Sequence, residues 1–161
     1  MVIFPYVIDS GKTLPIDETK LRKEYPLTYD YLFQNKTRLL ERSNTDNDNW
    51  WLYPYPKNLS LFNEPKILIQ VLGSRGNFTP DQEGKFYFVG CGTAGAYAIQ
   101  LSNQTLELSR YLLGILNSKL TTYFVSKIAS GFRGGYFVFG KSSIAHLPIR
   151  AINFNDPAEK S

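Results

Sequence analysis

At 161 residues, with 43% hydrophobic and 20% charged content, the chain has room for one soluble globular domain with a real core, and no run reaches the eighteen or so apolar residues of a membrane span. The single cysteine, Cys91, excludes an intrachain disulfide and leaves no thiolate cluster for a metal, which points to a reducing compartment. The net charge of +4 is uneven: it balances over residues 1–63, whereas residues 105–150 carry Arg110, Lys119, Lys127, Arg133, Lys141 and Arg150 against Glu107 alone, an asymmetry that suits a polyanionic partner, although charge alone fits an ordinary solvated basic face at least as well.

The opening Val2-Ile3-Phe4-Pro5-Tyr6-Val7-Ile8-Asp9 is apolar and β-branched and predicts a strand, which Pro5 places at an edge or a bulge. A chain that enters a strand straight after Met1 reads as a fragment of a longer protein, with Met1 an added initiator. Asp17 is placed to cap a short helix over residues 18–24, and Pro26 suits the first turn of a longer helix reaching about Arg42. Tyr29, Leu32, Phe33, Leu39 and Leu40 give that helix a broad apolar face. A polar loop, residues 43–49, then delivers Trp50, Trp51, Tyr53 and Tyr55, with Pro54 and Pro56 stiffening the backbone.

Residues 66–72 form a nearly continuous apolar run, as in a strand buried on both faces. Asp81-Gln82-Glu83-Gly84 predicts a turn into a strand over 85–89, and Gly90, Gly92 and Gly95 break regularity before Tyr97-Ala98-Ile99. Leu108, Leu112, Leu116, Leu120, Phe124 and Ile128 recur every four residues and predict a helical region over 105–128 with this stripe in the core. Asn117-Ser118-Lys119 marks a kink or a break within it. Gly131 ends the helix, Gly134-Gly135 lead into the aromatic strand Tyr136-Phe137-Val138-Phe139, and the tail 153–161 is expected to fray. The fold class is α+β: a mixed or antiparallel sheet, the long helical region packed on it, and irregular loops, in one domain over residues 1–152.

Catalytic chemistry finds little support. His146 is the only histidine, so no Ser–His or His–His pair exists within the chain. Pro80-Asp81 and then Glu83-Gly84-Lys85 imitate a nuclease signature, but both acids share one tight turn instead of converging on Mg²⁺ from neighbouring elements. Gly90, Gly92 and Gly95 have a G-x-G-x-x-G spacing, yet the next segment reads as a strand and not as the helix a nucleotide phosphate needs. Trp50, Trp51, Tyr53 and Tyr55, with Lys57 and Asn58 just beyond, mix aromatics with hydrogen-bonding groups, as does Gly131-Phe132-Arg133-Gly134-Gly135-Tyr136. Either cluster reads as core aromatics beside a turn or as a nucleic-acid surface, in which Arg suits guanine, Asn suits adenine, and glycines admit close backbone approach.

Several of these segments together resemble a known family. The opening is Phe4-Pro5-Tyr6, then Tyr25-Pro26 and Tyr31-Leu32 before Leu40-Glu41-Arg42, and after these Trp50, Pro65-Lys66-Ile67 and Gly84-Lys85-Phe86-Tyr87. Tyr111-Leu112-Leu113-Gly114-Ile115-Leu116-Asn117-Ser118-Lys119-Leu120 and Leu147-Pro148-Ile149 are the most specific part. This order resembles the TaqI-like C-terminal specificity domain of adenine-N6 DNA methyltransferases and of fused type II restriction–modification enzymes of the Eco57I kind, over roughly residues 3–150. The resemblance implies a target-recognition domain that contacts the major groove of double-stranded DNA and helps hold the duplex while adenine is flipped out. It also implies a prokaryotic, cytoplasmic parent whose N-terminal methyltransferase domain holds S-adenosylmethionine, with Mg²⁺ a second candidate cofactor there and none in this chain. Asn-Pro-Pro-Tyr and Asp-Pro-Pro-Tyr, the marks of amino-methylating enzymes, are absent, as a lone specificity domain requires.

The family does not fix the base-contacting residues. Residue chemistry and placement select Trp50, Trp51, Lys57, Asn58, Arg75, Asn77, Lys127, Arg133, Tyr136 and Lys141 for DNA binding, with basic groups on phosphates and loop Arg and Asn on bases. The alternatives are a type I specificity-subunit-like domain, a small Mg²⁺-dependent nuclease built on Asp81 and Glu83, or a protein-docking module.

Overall fold

The computed structural model describes residues 2–88, 90–91, 94–101 and 105–160. The chain is α+β and divides into two compact units, Met1–Phe62 and Asn63–Ser161.

In the first unit, β1 (Tyr6–Asp9) and β2 (Lys12–Pro15) pair antiparallel from Tyr6↔Pro15 to Asp9↔Lys12. Ser10 and Gly11 both have positive φ, 49° and 75°, the backbone twist that a two-residue hairpin turn needs. The expected opening strand thus has its partner immediately behind it. Asp17 caps α1 (Glu18–Glu24) by accepting from the Lys20 amide at 2.8 Å, and Pro26 opens α2 (Pro26–Gln34). The helix expected to run on to Arg42 divides at Asn35, with α3 (Lys36–Leu40) beyond it. The Asn35 carboxamide donates to the Tyr31 carbonyl at 2.8 Å, so a side chain competes with the backbone ladder at that point. Ile16, Leu21, Leu32, Trp50 and Trp51 form the core. The Trp51 indole donates to the Ile16 carbonyl, and the Arg42 guanidinium donates to the carbonyls of Leu39, Trp50 and Leu52. These bonds fix the tryptophan segment beneath the helices.

The second unit is organised on one buried strand. β3 (Lys66–Gln70) lies between β5 (Thr79–Asp81) and β7 (Ala94–Ile99), with β6 (Gly90–Cys91) beyond β7, all antiparallel. Val71 extends it: its amide donates to Gly95 at 3.0 Å and its carbonyl accepts from Phe139 at 2.8 Å. β4 (Leu72–Gly73) then joins a second sheet of order β4-β9-β8, with β8 (Gly131–Phe132) and β9 (Tyr136–Val138). The strand expected over 85–89 is not formed across residues 85–88, because the amides of Lys85 and Phe86 turn back onto the Asp81 carboxylate at 2.9 and 3.0 Å; Val89 lies outside the described residues.

α4 (Leu106–Leu116) and α5 (Lys119–Ile128) replace the single helical region. Ser118 caps α5 by accepting from the Thr121 amide at 3.1 Å. The break resets the helical phase, so the expected four-residue stripe does not continue into the core. Leu116 is 2% exposed, but Leu120 is 75% exposed and Ile128 is also exposed; Thr121 and Val125 take their places. Leu116 and Val125 pack with Ile67, Ile69, Phe78 and Phe139. Beyond β9 comes α6 (Lys141–Ile144). The tail expected to fray carries α7 (Pro157–Lys160), whose Glu159 binds the Arg150 side chain at 3.2 Å and the Asn153 amide at 2.7 Å.

Lys66 and Asp81 form an ion pair of 2.6 Å across β3 and β5, with both side chains almost fully buried. Burial raises the Asp81 pKa, but the hydrogen bonds from Lys66, Phe86 and Lys85 outweigh it and hold the carboxyl below its ordinary value.

This packing sets two stability outcomes. Leu116→Ala is expected to cost about 2–5 kcal/mol, and Leu120→Ala under about 0.5 kcal/mol, in denaturant unfolding. Asp81→Asn is expected to cost about 3–5 kcal/mol, because Lys66 keeps its buried charge and loses the opposing one. A depressed folded-state pKa gives stability that is present above the ordinary carboxylate pKa and lost as pH falls through the folded value. Asp81→Asn therefore also flattens the acid side of the stability–pH curve, which urea titrations between pH 7 and pH 2 would read.

Candidate functional site

The register of the second sheet gathers part of the basic surface. β4 pairs with β9 as Leu72↔Val138 and Gly73↔Phe137, so the chain leaving Gly73 runs in the direction of Tyr136 and the β8–β9 turn. That turn, Arg133–Gly135, closes a hairpin paired as Gly131↔Phe137 and Phe132↔Tyr136. Gly134 and Gly135 both have φ of 76°, a conformation L side chains rarely adopt. Arg75, on the chain beyond Gly73, and Arg133 and Tyr136, on the hairpin, are therefore directed to one end of this sheet, and all three are exposed.

The loop that carries Arg75 and Asn77 is held by the helix break. The Asn117 carboxamide accepts from the Phe78 amide at 2.8 Å and donates to the Phe78 carbonyl at 3.0 Å, as a strand would. The Gly76 amide donates to the Thr122 hydroxyl at 3.3 Å. A Cβ at Gly76 would fall 2.6 Å from the Leu116 carbonyl, so only glycine lets this loop sit on the C-terminal end of α4. Arg75 and Asn77 are exposed on a backbone with interior anchors.

Lys127 is exposed on α5, its ammonium 5.0 Å from the centroid of the exposed Tyr123 ring, and Lys141 is exposed at the first residue of α6. Among the described residues the ion pairs are Lys66–Asp81, Lys85–Glu83 and Arg150–Glu159. Arg75, Arg110, Lys119, Lys127, Arg133 and Lys141 have no described carboxylate at ion-pair distance. Among the described residues, neither Glu107 nor Asp156 is at ion-pair distance from Arg133.

In the first unit the structure separates the expected aromatic cluster. Trp50 is 0% exposed and Trp51 8%. The Trp50 ring meets Tyr29, Phe33 and Trp51 edge-on, with the Lys36 ammonium 4.9 Å from its centroid. No ring face is left for a base, so the two tryptophans are core residues and leave the binding set. Lys57 and Asn58 remain exposed. Asn58, in the left-handed region at φ 52°, lines an open cleft of about 570 Å³ with Thr13, Asn44, Asn49 and Tyr53. Burial, and then the neighbouring Tyr6, push the Tyr53 hydroxyl up to about 12, so it stays a donor, to the Ile3 carbonyl.

The chemical alternatives lose their geometry. Asp81 is committed to Lys66 and two backbone amides, while Glu83 is exposed and paired with Lys85; the two carboxylates do not converge and do not fit a Mg²⁺ site. No cluster of His, Cys, Asp or Glu suited to a metal occurs among the described residues. Gly90 pairs with Gly95 across the β6–β7 hairpin and opens no helix, which does not fit a phosphate or S-adenosylmethionine loop; Gly92 lies outside the described residues. His146 is exposed in the turn after α6. No helix among the described residues is long and apolar enough to cross a membrane.

Sequence reasoning does not select Asn117, Gly76, Tyr123 or Phe132 for the site. The signal for Asn117 lies in the Asn-Ser-Lys of the most specific motif, which by itself reads only as a helix break. Comparison with known proteins adds two findings. A family described as the TaqI-like C-terminal specificity domain matches residues 8–149. The chain is also 27% identical to the type II restriction enzyme and methyltransferase RM.Eco57I of Escherichia coli, over 99% of this chain and 16% of that protein. The chain therefore spans about a sixth of that relative's length.

The clamp predicts a local effect. Asn117→Ala removes both hydrogen bonds to Phe78 and is expected to cost about 1–3 kcal/mol. Hydrogen exchange should speed up first at the amides of Gly76 and Phe78, while Ile67 and Ile69 in the strand core keep their protection.

Proposed function

The chain belongs to the family of TaqI-like C-terminal specificity domains, and from that premise we propose that it recognises a specific sequence in double-stranded DNA on behalf of a larger restriction–modification enzyme. The parent is an adenine-N6 DNA methyltransferase or a methyltransferase–endonuclease. Its N-terminal methyltransferase domain is this chain's intramolecular partner. S-adenosylmethionine, and Mg²⁺ where the parent cleaves, act there.

The observation that carries the reading is the set of exposed cations without described carboxylate partners in the second unit, four of which belong to segments joined by one sheet or the helix leading into it: Arg75, Lys119, Lys127 and Arg133. Unpaired cations gain from phosphates and from the counterions those phosphates release, which gives affinity that falls with salt. Asn77 and Arg133 are in backbone settings that leave their polar groups for base edges. Lys141 is assigned to the phosphates as well. Lys57 and Asn58, in the first unit, are assigned to DNA by their exposure and chemistry.

The division between catalysis and recognition is testable with the chain alone and within its parent. Purified alone, this chain is expected to transfer no radiolabelled methyl group to DNA and to cut none with Mg²⁺; either activity would overturn the reading. Within the full-length parent, Lys127→Ala is expected to weaken binding to all duplexes alike and lower the salt slope by about one. Arg75→Ala is expected to lose about 1–3 kcal/mol against the preferred sequence and to relax selectivity at one position. Filter binding at two salt concentrations distinguishes the two patterns.

A further inference from the structure

The β8–β9 hairpin carries a feature that phosphate binding does not require. Phe132 and Tyr136 are direct cross-strand partners, and the two residues are 51% and 44% exposed. Aromatic side chains in a hairpin ordinarily cover a core; this pair flanks the turn and stays in solvent. Around it the backbone is stripped of side chains. A Cβ at Gly131 or Gly135 would meet nothing within 4 Å, so the interior does not demand glycine at either for lack of space. The turn holds Arg133 between the two strands, without a described carboxylate.

Resting on the DNA-recognition reading above, we propose that the β8–β9 hairpin is a specificity element that enters the major groove as a two-stranded ribbon, and that the Phe132–Tyr136 pair contacts the C5-methyl group of a thymine. The major groove admits a two-stranded ribbon, and the thymine methyl is the one apolar group displayed on base edges there. An exposed aromatic pair gains from burying such a methyl and gains nothing from a charged phosphate. The surrounding charge selects DNA over a protein partner: Arg133 lies in the same turn, Lys127 on the helix leading into it, and the sheet register directs Arg75 to the same end. Bare glycine backbone at the turn lets the ribbon approach the base edges closely.

The experiment uses the full-length parent and a duplex that it selects from a random-sequence pool. Each thymine of the selected site is replaced in turn by uracil, which removes one methyl and leaves base pairing intact. Wild-type protein is expected to lose about three- to tenfold in affinity at one thymine and less than twofold at the others. In Phe132→Ala or Tyr136→Ala that thymine becomes equivalent to uracil, while the salt slope is unchanged. Thermal unfolding of each variant, with Phe132→Leu as a second substitution that keeps apolar bulk, shows that the fold persists; the leucine variant should keep part of the discrimination. A thymine preference that survives both alanine variants, or no thymine preference at all in a protein that does select a sequence, overturns the hairpin assignment alone. Failure of the parent to select any duplex sinks the DNA-recognition reading itself. Retained DNA selectivity in both alanine variants, with loss of a bound protein subunit, would make the hairpin a protein-docking edge and also overturn the proposal.

Discussion

A buried strand must pair every backbone group it carries, and the second unit is built around that requirement. Residues 66–73 meet it by changing partners along their length. β5 and β7 flank the first part, the Val71 amide reaches Gly95, the Val71 carbonyl takes Phe139, and β9 pairs with the rest. This exchange joins two sheets through one continuous segment. It also fixes where β9 begins and in which direction β4 ends. The end of the sheet to which Arg75 and Arg133 are directed is a consequence of interior hydrogen bonding, not of any surface contact. The Lys66–Asp81 pair belongs to the same requirement: an ammonium inside the protein persists beside a carboxylate, and that carboxylate spends its remaining capacity on the turn amides of Lys85 and Phe86.

The helix break completes the arrangement from the other side. A single uninterrupted helix over 106–128 would satisfy its own backbone and would have no reason to release the Asn117 side chain. Stopping at Leu116 frees Asn117 to bond both backbone groups of Phe78, and restarting at Ser118 places Thr122 against Gly76. The loop with Arg75 and Asn77 thereby gains interior hydrogen bonds without a strand partner. Ordering a loop on binding opposes affinity; here the backbone is already ordered, and only exposed side chains remain to be fixed.

Much of the fold is legible in the sequence because it depends on local chemistry. Asp17 as a cap, Pro26 as a first turn and a strand in the apolar run at 66–72 each derive from a few neighbouring residues, and the structure shows all three, although that strand buries Ile67, Ile69 and Val71 on one face and leaves Gln70 exposed on the other. The failures share a cause. Extending a period through residues where the helix stops puts Leu120 in the core, but a period carries no phase across a break. The Lys85 segment resembles a strand because its pattern does not reveal that a buried carboxylate captures its amides. Trp50 and Trp51 resemble a reading surface because composition cannot tell an aromatic that faces bases from one that faces Tyr29 and Phe33. The basic residues fare differently: a cation is expected at the surface, and what the sequence cannot give is whether a carboxylate from a distant segment neutralises it.

Two kinds of glycine separate structure from candidate function in the second unit. Gly76 and Gly84 are enforced from within, since a Cβ at either would lie within 2.6 Å of backbone from another segment. Gly134 and Gly135 are enforced by conformation, at φ of 76°, and around Gly135 the space is open. Glycine costs roughly 0.5–1 kcal/mol of chain entropy relative to alanine. At Gly76 and Gly84 close packing offsets that cost. At the hairpin turn the left-handed backbone offsets it instead, while the two aromatics beside it stay exposed to water. A hairpin could close on a single left-handed residue with ordinary flanks and hide its rings against the sheet. Keeping the rings outward leaves stability unrealised in the free protein, and a ligand that buries those rings recovers it.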